Sequence, residues 1–176
     1  MRLKGVLRSV HELEQFRVRS ADGRHSGRIR DVYFNGSAWQ VTHLVLSMEP
    51  SAFGRKEVLL SPADVAGLSD ESEVLHLRIS AEELDQLPPA SSALPVCKQY
   101  ESFVYASRRA TMLPMQTDPH LRSAKAVIRF QLDIAGECSG NLADFLYDSE
   151  SWQIRYLGIE QKFDRKAMKF FVLPQD

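Results

Sequence analysis

Gly23-Arg24-His25-Ser26-Gly27-Arg28-Ile29-Arg30-Asp31-Val32-Tyr33-Phe34-Asn35-Gly36-Ser37-Ala38-Trp39-Gln40-Val41 is echoed later in the chain. The second stretch reads Gly136-Glu137-Cys138-Ser139-Gly140-Asn141-Leu142-Ala143-Asp144-Phe145-Leu146-Tyr147-Asp148-Ser149-Glu150-Ser151-Trp152-Gln153-Ile154. At a constant offset of 113, Gly23 meets Gly136, Gly27 meets Gly140, Asp31 meets Asp144, Trp39 meets Trp152 and Gln40 meets Gln153. The chain holds 2 tryptophans, and they coincide. Outward from this block, Leu7-Arg8-Ser9 recurs as Leu121-Arg122-Ser123, and Arg55-Lys56 recurs as Arg165-Lys166, each of the latter opening an apolar run that ends at a proline (Pro62, Pro174). Two copies of one small unit explain these matches.

Each copy reads as β. Residues 26–34 and 39–47 are rich in branched and aromatic side chains and flank Asn35-Gly36, a hairpin signal because both residues tolerate φ > 0. Shorter strands are expected at about 16–20, at 56–61 and at Val74-Leu75-His76-Leu77-Arg78-Ile79. Many short strands separated by turns favour a small closed barrel, because closure leaves no exposed edge. Ser80 followed by Glu83 predicts a capping box that starts one helical turn, ended by Pro88-Pro89. The fold class is therefore mostly β: two small barrels in tandem, with a short helical turn and an irregular connecting segment. The divisions are 1–89, a connecting segment 90–120 that packs on the barrels, and a shorter second unit 121–176. The second copy shows no counterpart of 74–79, so Ser102-Phe103-Val104-Tyr105-Ala106 is expected to complete or cover it.

The order of these features resembles the PRC-barrel, a family named for the cytoplasmic domain of the photosynthetic reaction centre H subunit and found also in a ribosome-maturation factor and in small stand-alone proteins. The resemblance rests on Asp22-Gly23, Gly27, Ile29, Asp31, Val32, Val41-Thr42-His43-Leu44-Val45-Leu46 and Lys56-Glu57-Val58-Leu59-Leu60-Ser61-Pro62. In the second copy it rests on Gly136, Gly140, Leu142, Asp144, Tyr147, Trp152, Tyr156-Leu157-Gly158-Ile159 and Pro174. It covers about 1–90 and 121–176. It implies a non-enzymatic protein-interaction or assembly module, with association with photosynthetic or electron-transfer complexes as one extension. A motif of turns and core positions specifies fold better than function.

The composition is that of a globular chain: 176 residues, 44% hydrophobic, 26% charged and a net charge of -1. No global basic field is present to collect polyanions. The charge is uneven, with eight basic and three acidic residues over 1–30, and three basic and ten acidic over 31–90. Pairing across neighbouring strands is the expectation, with a functional patch as the alternative. Two cysteines without metal-ligand spacing, no leader-like segment and no long apolar run point to a cytoplasmic protein without a transmembrane segment.

Gly136-Glu137-Cys138-Ser139-Gly140 has the form of a nucleophile elbow, but its counterpart carries His25 where Cys138 stands, in a strand-turn-strand context. Gly23, Gly27, Asn35, Gly36, Gly136 and Gly140 are therefore assigned to turns. No histidine cluster suggests a metal, and no catalytic residue or cofactor is assigned. Asp31 and Asp144 are expected to make a structural hydrogen bond within each unit. Trp39 and Trp152 either tuck beneath their hairpins or, with Arg24, Arg28 and Arg30, contact a partner. The partner is expected to be a protein, and self-association is open.

The alternative function is RNA- or ribosome-associated binding, with Arg2, Lys4, Arg8, Arg24, Arg28 and Arg30 on phosphates. A third class is a small-molecule enzyme or sensor using a groove between the barrels.

Overall fold

The computed structural model describes residues 5–24, 26–48, 56–99, 118–134, 138–163 and 166–174. The described residues are mostly strand with a few short helices, and the sheet curls into a half-barrel. Strands are β1 (Leu7–Ser9), β2 (Arg17–Arg19), β3 (Ser26–Asn35), β4 (Gln40–Met48), β5 (Glu57–Leu60), β6 (Val65–Ser69), β7 (Val74–Leu77), β8 (Leu121–Ser123), β9 (Gln131–Ile134), β10 (Cys138–Asp148), β11 (Ile154–Phe163) and β12 (Lys166–Val172). Short helices are α1 (Val10–Leu13), α2 (Ala81–Gln86) and α3 (Ala124–Val127). The predicted capping box is present on α2: the Glu83 backbone N–H donates to Ser80 Oγ, and the Ser80 N–H donates back to the Glu83 carboxylate at 2.7 Å.

Two sheets form, and neither follows chain order. The first runs β5-β4-β3-β2-β7-β6 with β8 added on β3, and the second runs β1-β10-β11-β12 with β9 on β10. The two Leu-Arg-Ser segments are therefore exchanged. Leu7–Ser9 lies against the later strand, with Ser9 opposite Leu146. Leu121–Ser123 lies against the earlier one, with Ser123 opposite Tyr33.

The central hairpins are equivalent. Asn35 Oδ1 accepts from the N–H groups of Ser37 and Ala38, both at 2.9 Å, and Asp148 Oδ1 accepts from those of Glu150 and Ser151 at 3.1 and 2.7 Å. The turn differs from the expected two-residue Asn-Gly type. It spans the four positions 36–39, and the left-handed residue is Trp39 (φ 51), matched by Trp152 (φ 59) in the second copy. Ser149 stands where Gly36 does, so this loop has no need of glycine there; an Asx turn has done the work assigned to Asn-Gly. Gly36 instead lies close to the exchanged strand, its N–H donating to the His120 carbonyl at 2.8 Å.

The left-handed turn aims each tryptophan carbonyl at the other half. Trp39 O accepts from Ile154 N at 2.7 Å, and Trp152 O accepts from Val41 N at 3.0 Å, around an antiparallel bridge between Gln40 and Gln153. Phe34 stacks on Trp39 with ring centroids 5.9 Å apart, Tyr147 stacks on Trp152 at 4.9 Å, and Phe34 meets Phe145 at 5.2 Å. One contiguous core therefore joins both halves, from Leu13 and Leu44 through Phe34 to Phe145 and Ile159. A smaller cluster of Tyr33, Val45, Leu59 and Leu121 lies on the other face of the first sheet, where Ala90 and Ala93 pack over it.

Two glycines assigned to turns lie within strands. A Cβ on Gly27 in β3 would sit 2.7 Å from the Ser47 carbonyl, and one on Gly140 in β10 would sit 2.6 Å from Ile159 Cγ2 and 3.0 Å from the Glu160 carbonyl. Close approach of a neighbouring strand explains glycine at both positions. Gly23 does occupy a turn, at φ 69. Gly136 and residues 102–106 lie outside the described residues.

Candidate functional site

The matched aspartates hold the exchange together, as the backbone around each shows. Ser9 and Ser123 end the exchanged strands and cap α1 and α3, accepting from the N–H groups of Glu12 and Ala126. Each serine hydroxyl then donates to the aspartate of the other copy: Ser9 to Asp144 at 2.5 Å and Ser123 to Asp31 at 2.6 Å. The second carboxylate oxygen of Asp144 accepts from the N–H of His11 and of Phe145, and that of Asp31 accepts from the N–H of Lys125 and of Val32. Each carboxylate thus satisfies a helix start contributed by the other half. The expected hydrogen bond exists, but it runs between the copies. No reactive group stands beside either carboxylate in these contacts.

The tryptophans divide. Trp152 is 7% exposed and presents almost no surface to a partner, whereas Trp39 is partly buried. Tyr147, stacked on Trp152, is fully buried, and its hydroxyl has no hydrogen-bond partner. Burial pushes its pKa up, and Tyr33 is pushed up to about 12 by the same cause. Two buried phenols kept neutral are packing groups.

Of the basic residues expected to contact phosphate, two have acidic neighbours. Arg8 is taken by Asp70 through two bonds of 2.6 and 2.7 Å, with its side chain 17% exposed. This pair ties β1, seated on the second sheet, to the β6–β7 turn of the first. Arg24 lies 3.8 Å from Asp22 at the surface. Arg2 and Lys4 are outside the described residues. Arg28 and Arg30 remain exposed on β3. Beside Arg28 the register places two arginines that the sequence reading did not select. Arg17 is directly opposite Arg28 on β2, and Arg19 is opposite His76 on β7. The cross-strand neutralisation expected of this region is absent here: like charge faces like charge. The signal was present in the Arg17-Val18-Arg19 alternation, but which side chains oppose one another depends on strand register.

Two strands of the second sheet have fewer neighbours among the described residues than their counterparts in the first. Strand β2 pairs with both β3 and β7, whereas its counterpart β9 pairs with β10 alone among the described residues. The outer edge of β5 is covered by Pro88-Pro89, with the Leu59 N–H donating to the Pro88 carbonyl at 2.9 Å. Strand β12, the counterpart of β5, pairs only with β11 among the described residues. Four large apolar side chains are exposed in this sheet or just beside it: Phe130 at 58%, Met168 at 62%, Phe171 at 53% and Leu173 at 64%.

A groove of about 740 Å³ runs between the halves, lined by Val6, Gln40, Leu68, Arg78, Glu150 and Trp152 among others. No histidine lines it. The histidines are dispersed: His43 is half-buried beside the Thr42 hydroxyl, His120 bonds Ser37 Oγ at 2.7 Å, and His76 is exposed. Among the described residues no group of three or more His, Cys, Asp or Glu is placed to hold a metal ion. Cys97 is an exposed free thiol, and Cys138 opens β10 opposite Ile134, with a strand rather than a helix following. No helix among the described residues is long and apolar enough to cross a membrane. No family model matches the chain, and no curated protein matches it.

Proposed function

We propose that the chain is a non-enzymatic protein-interaction module built from two PRC-barrel-like units, and that it docks its partner along β12 of the second sheet. The observation that carries this reading is that Met168, Phe171 and Leu173, on and just after β12, are each more than half exposed, while β12 pairs with β11 alone among the described residues. A strand edge offers a ladder of N–H and C=O groups, and an extended segment of a partner can extend the sheet along β12 while its apolar side chains cover Phe171 on one face and Met168 on the other. Lys169 in the same strand is exposed and favours an acidic partner segment. The family resemblance extends this to assembly of photosynthetic or electron-transfer complexes.

Cross-linking and affinity capture from the native organism test the proposal. Wild-type protein should recover a stoichiometric partner that Met168→Lys/Phe171→Lys loses, while Trp39→Leu, at the joint, retains it. Equal capture by the charged-edge variant would sink the assignment.

A further inference from the structure

The outward face of β2, β3 and β7 carries a second site, distinct from the edges of the other sheet. Strand alternation buries Val18, at 1% exposed, and turns Arg17 and Arg19 outward. Arg28 stands opposite Arg17 in the antiparallel β2–β3 pair, and His76 stands beside Arg19 in the parallel β2–β7 pair. Opposed residues in such a ladder have Cβ atoms about 5 Å apart, and like charges placed so destabilise a sheet. Among the described residues no side-chain hydrogen bond or ion pair involves Arg17, Arg19 or Arg28. The nearby acid Asp70 is committed to Arg8. Arg17, Arg19, Arg28 and His76 line a concavity of about 420 Å³, with Ser72 on its wall as a neutral donor and Glu73 as its acidic member.

We infer that this concavity binds a small oligophosphate group. Three arginines lining one hollow can present paired N–H donors in the planar geometry that phosphate oxygens accept in bidentate fashion. Such an anion relieves the opposition of Arg17 and Arg28 by standing between them. An extended nucleic acid strand is a poorer match. The residues lining the hollow include no phenylalanine, tyrosine or tryptophan, and the single imidazole of His76 is a small platform for a run of stacked bases. The single acid narrows the class further: Glu73 repels a ligand that spreads its charge across the whole hollow and favours one whose phosphates lie toward Arg17, Arg19 and Arg28.

Isothermal titration with inorganic tripolyphosphate at fixed ionic strength tests the site. Wild-type protein should show one saturable site. Arg17→Gln/Arg28→Gln should weaken it at least about tenfold, the minimum for losing a charge-assisted contact. The off-site variant Lys125→Gln/Arg155→Gln, which removes the same charge, should bind as wild type does. No saturable binding, or equal loss in both double variants, would overturn the inference. So would a single-stranded RNA oligonucleotide that binds more tightly than tripolyphosphate through the same two arginines, which would make the face a nucleic-acid surface.

Discussion

Tyr147 and Phe34 occupy equivalent positions, each stacked on its own tryptophan, yet only one of them brings a hydroxyl into the core. A buried donor without a partner costs about 1–3 kcal/mol relative to an apolar group of the same shape. Tyr147→Phe should therefore leave stability unchanged or raise it by about 1 kcal/mol in urea denaturation, an outcome that a hidden hydrogen bond would reverse. Arg28 makes the opposite kind of residue-scale statement. Removing one of two opposed cations with Arg28→Gln should raise stability by a few tenths of a kcal/mol at low salt, within the about 0.2–1 kcal/mol range of cross-strand pairs. Thermal melts at rising NaCl should close the gap as screening removes the repulsion. His43 sets a pH dependence. Burial holds its pKa below the ordinary 6.5, so the unfolded chain takes up that proton first as pH falls. Its contribution to stability is intact above pH 6.5 and declines from there down through the folded value. Unfolding free energies between pH 7.5 and 5 should fall for wild type and less steeply for His43→Gln.

The exchanged strands β1 and β8 are three residues each, too short to persist alone, and the capped turns behind them supply the anchorage. Deleting the carboxylate in Asp144→Ala removes acceptors from the Ser9 hydroxyl and from two backbone N–H groups, and should cost about 2–4 kcal/mol given the charge on the acceptor. Ser9→Ala alone should cost about 1 kcal/mol, the usual value of an N-cap. A double-mutant cycle between them should give a coupling of about 1 kcal/mol or more, and strict additivity would show that the two do not act on each other. Much at this scale was legible beforehand. The hairpins and the α2 capping box follow from local patterns of side chains, and the equivalence of Asp31 and Asp144 follows from the repeat. The exchange was not legible for a physical reason. Leu7-Arg8-Ser9 and Leu121-Arg122-Ser123 are identical, so either can satisfy either sheet with the same bonds, and only the path of the connecting chain selects one pairing. Gly27 and Gly140 misled in a similar way, since glycine is equally suited to a turn and to the close approach of two strands. Arg17 escaped notice because opposition across a ladder depends on a register that a one-residue slip would invert.

At the scale of the molecule, the joint and the two surfaces separate cleanly. The joint is covered by stacked aromatics, crossed backbone bonds and the two aspartates; the arginine face belongs to the first sheet and the exposed apolar residues of β12 to the second. A fragment starting at residue 118 retains β8 but loses both β3, on which β8 lies, and β1, which pairs with β10. It should be insoluble or oligomeric, the soluble form being a dimer in which each copy supplies β8 to its mate. Light scattering that finds a stable, well-dispersed monomer would contradict the exchange as a stabilising element. The crossed arrangement has the geometry of an isologous homodimer with its subunits joined in one polypeptide. In a true homodimer every substitution appears twice, once on each side of the axis. Here each falls once, so one half can carry Arg17 and Arg28 face to face while the other exposes Met168 and Phe171 along β12, and a single fold acquires two unlike faces without losing the symmetric joint between them.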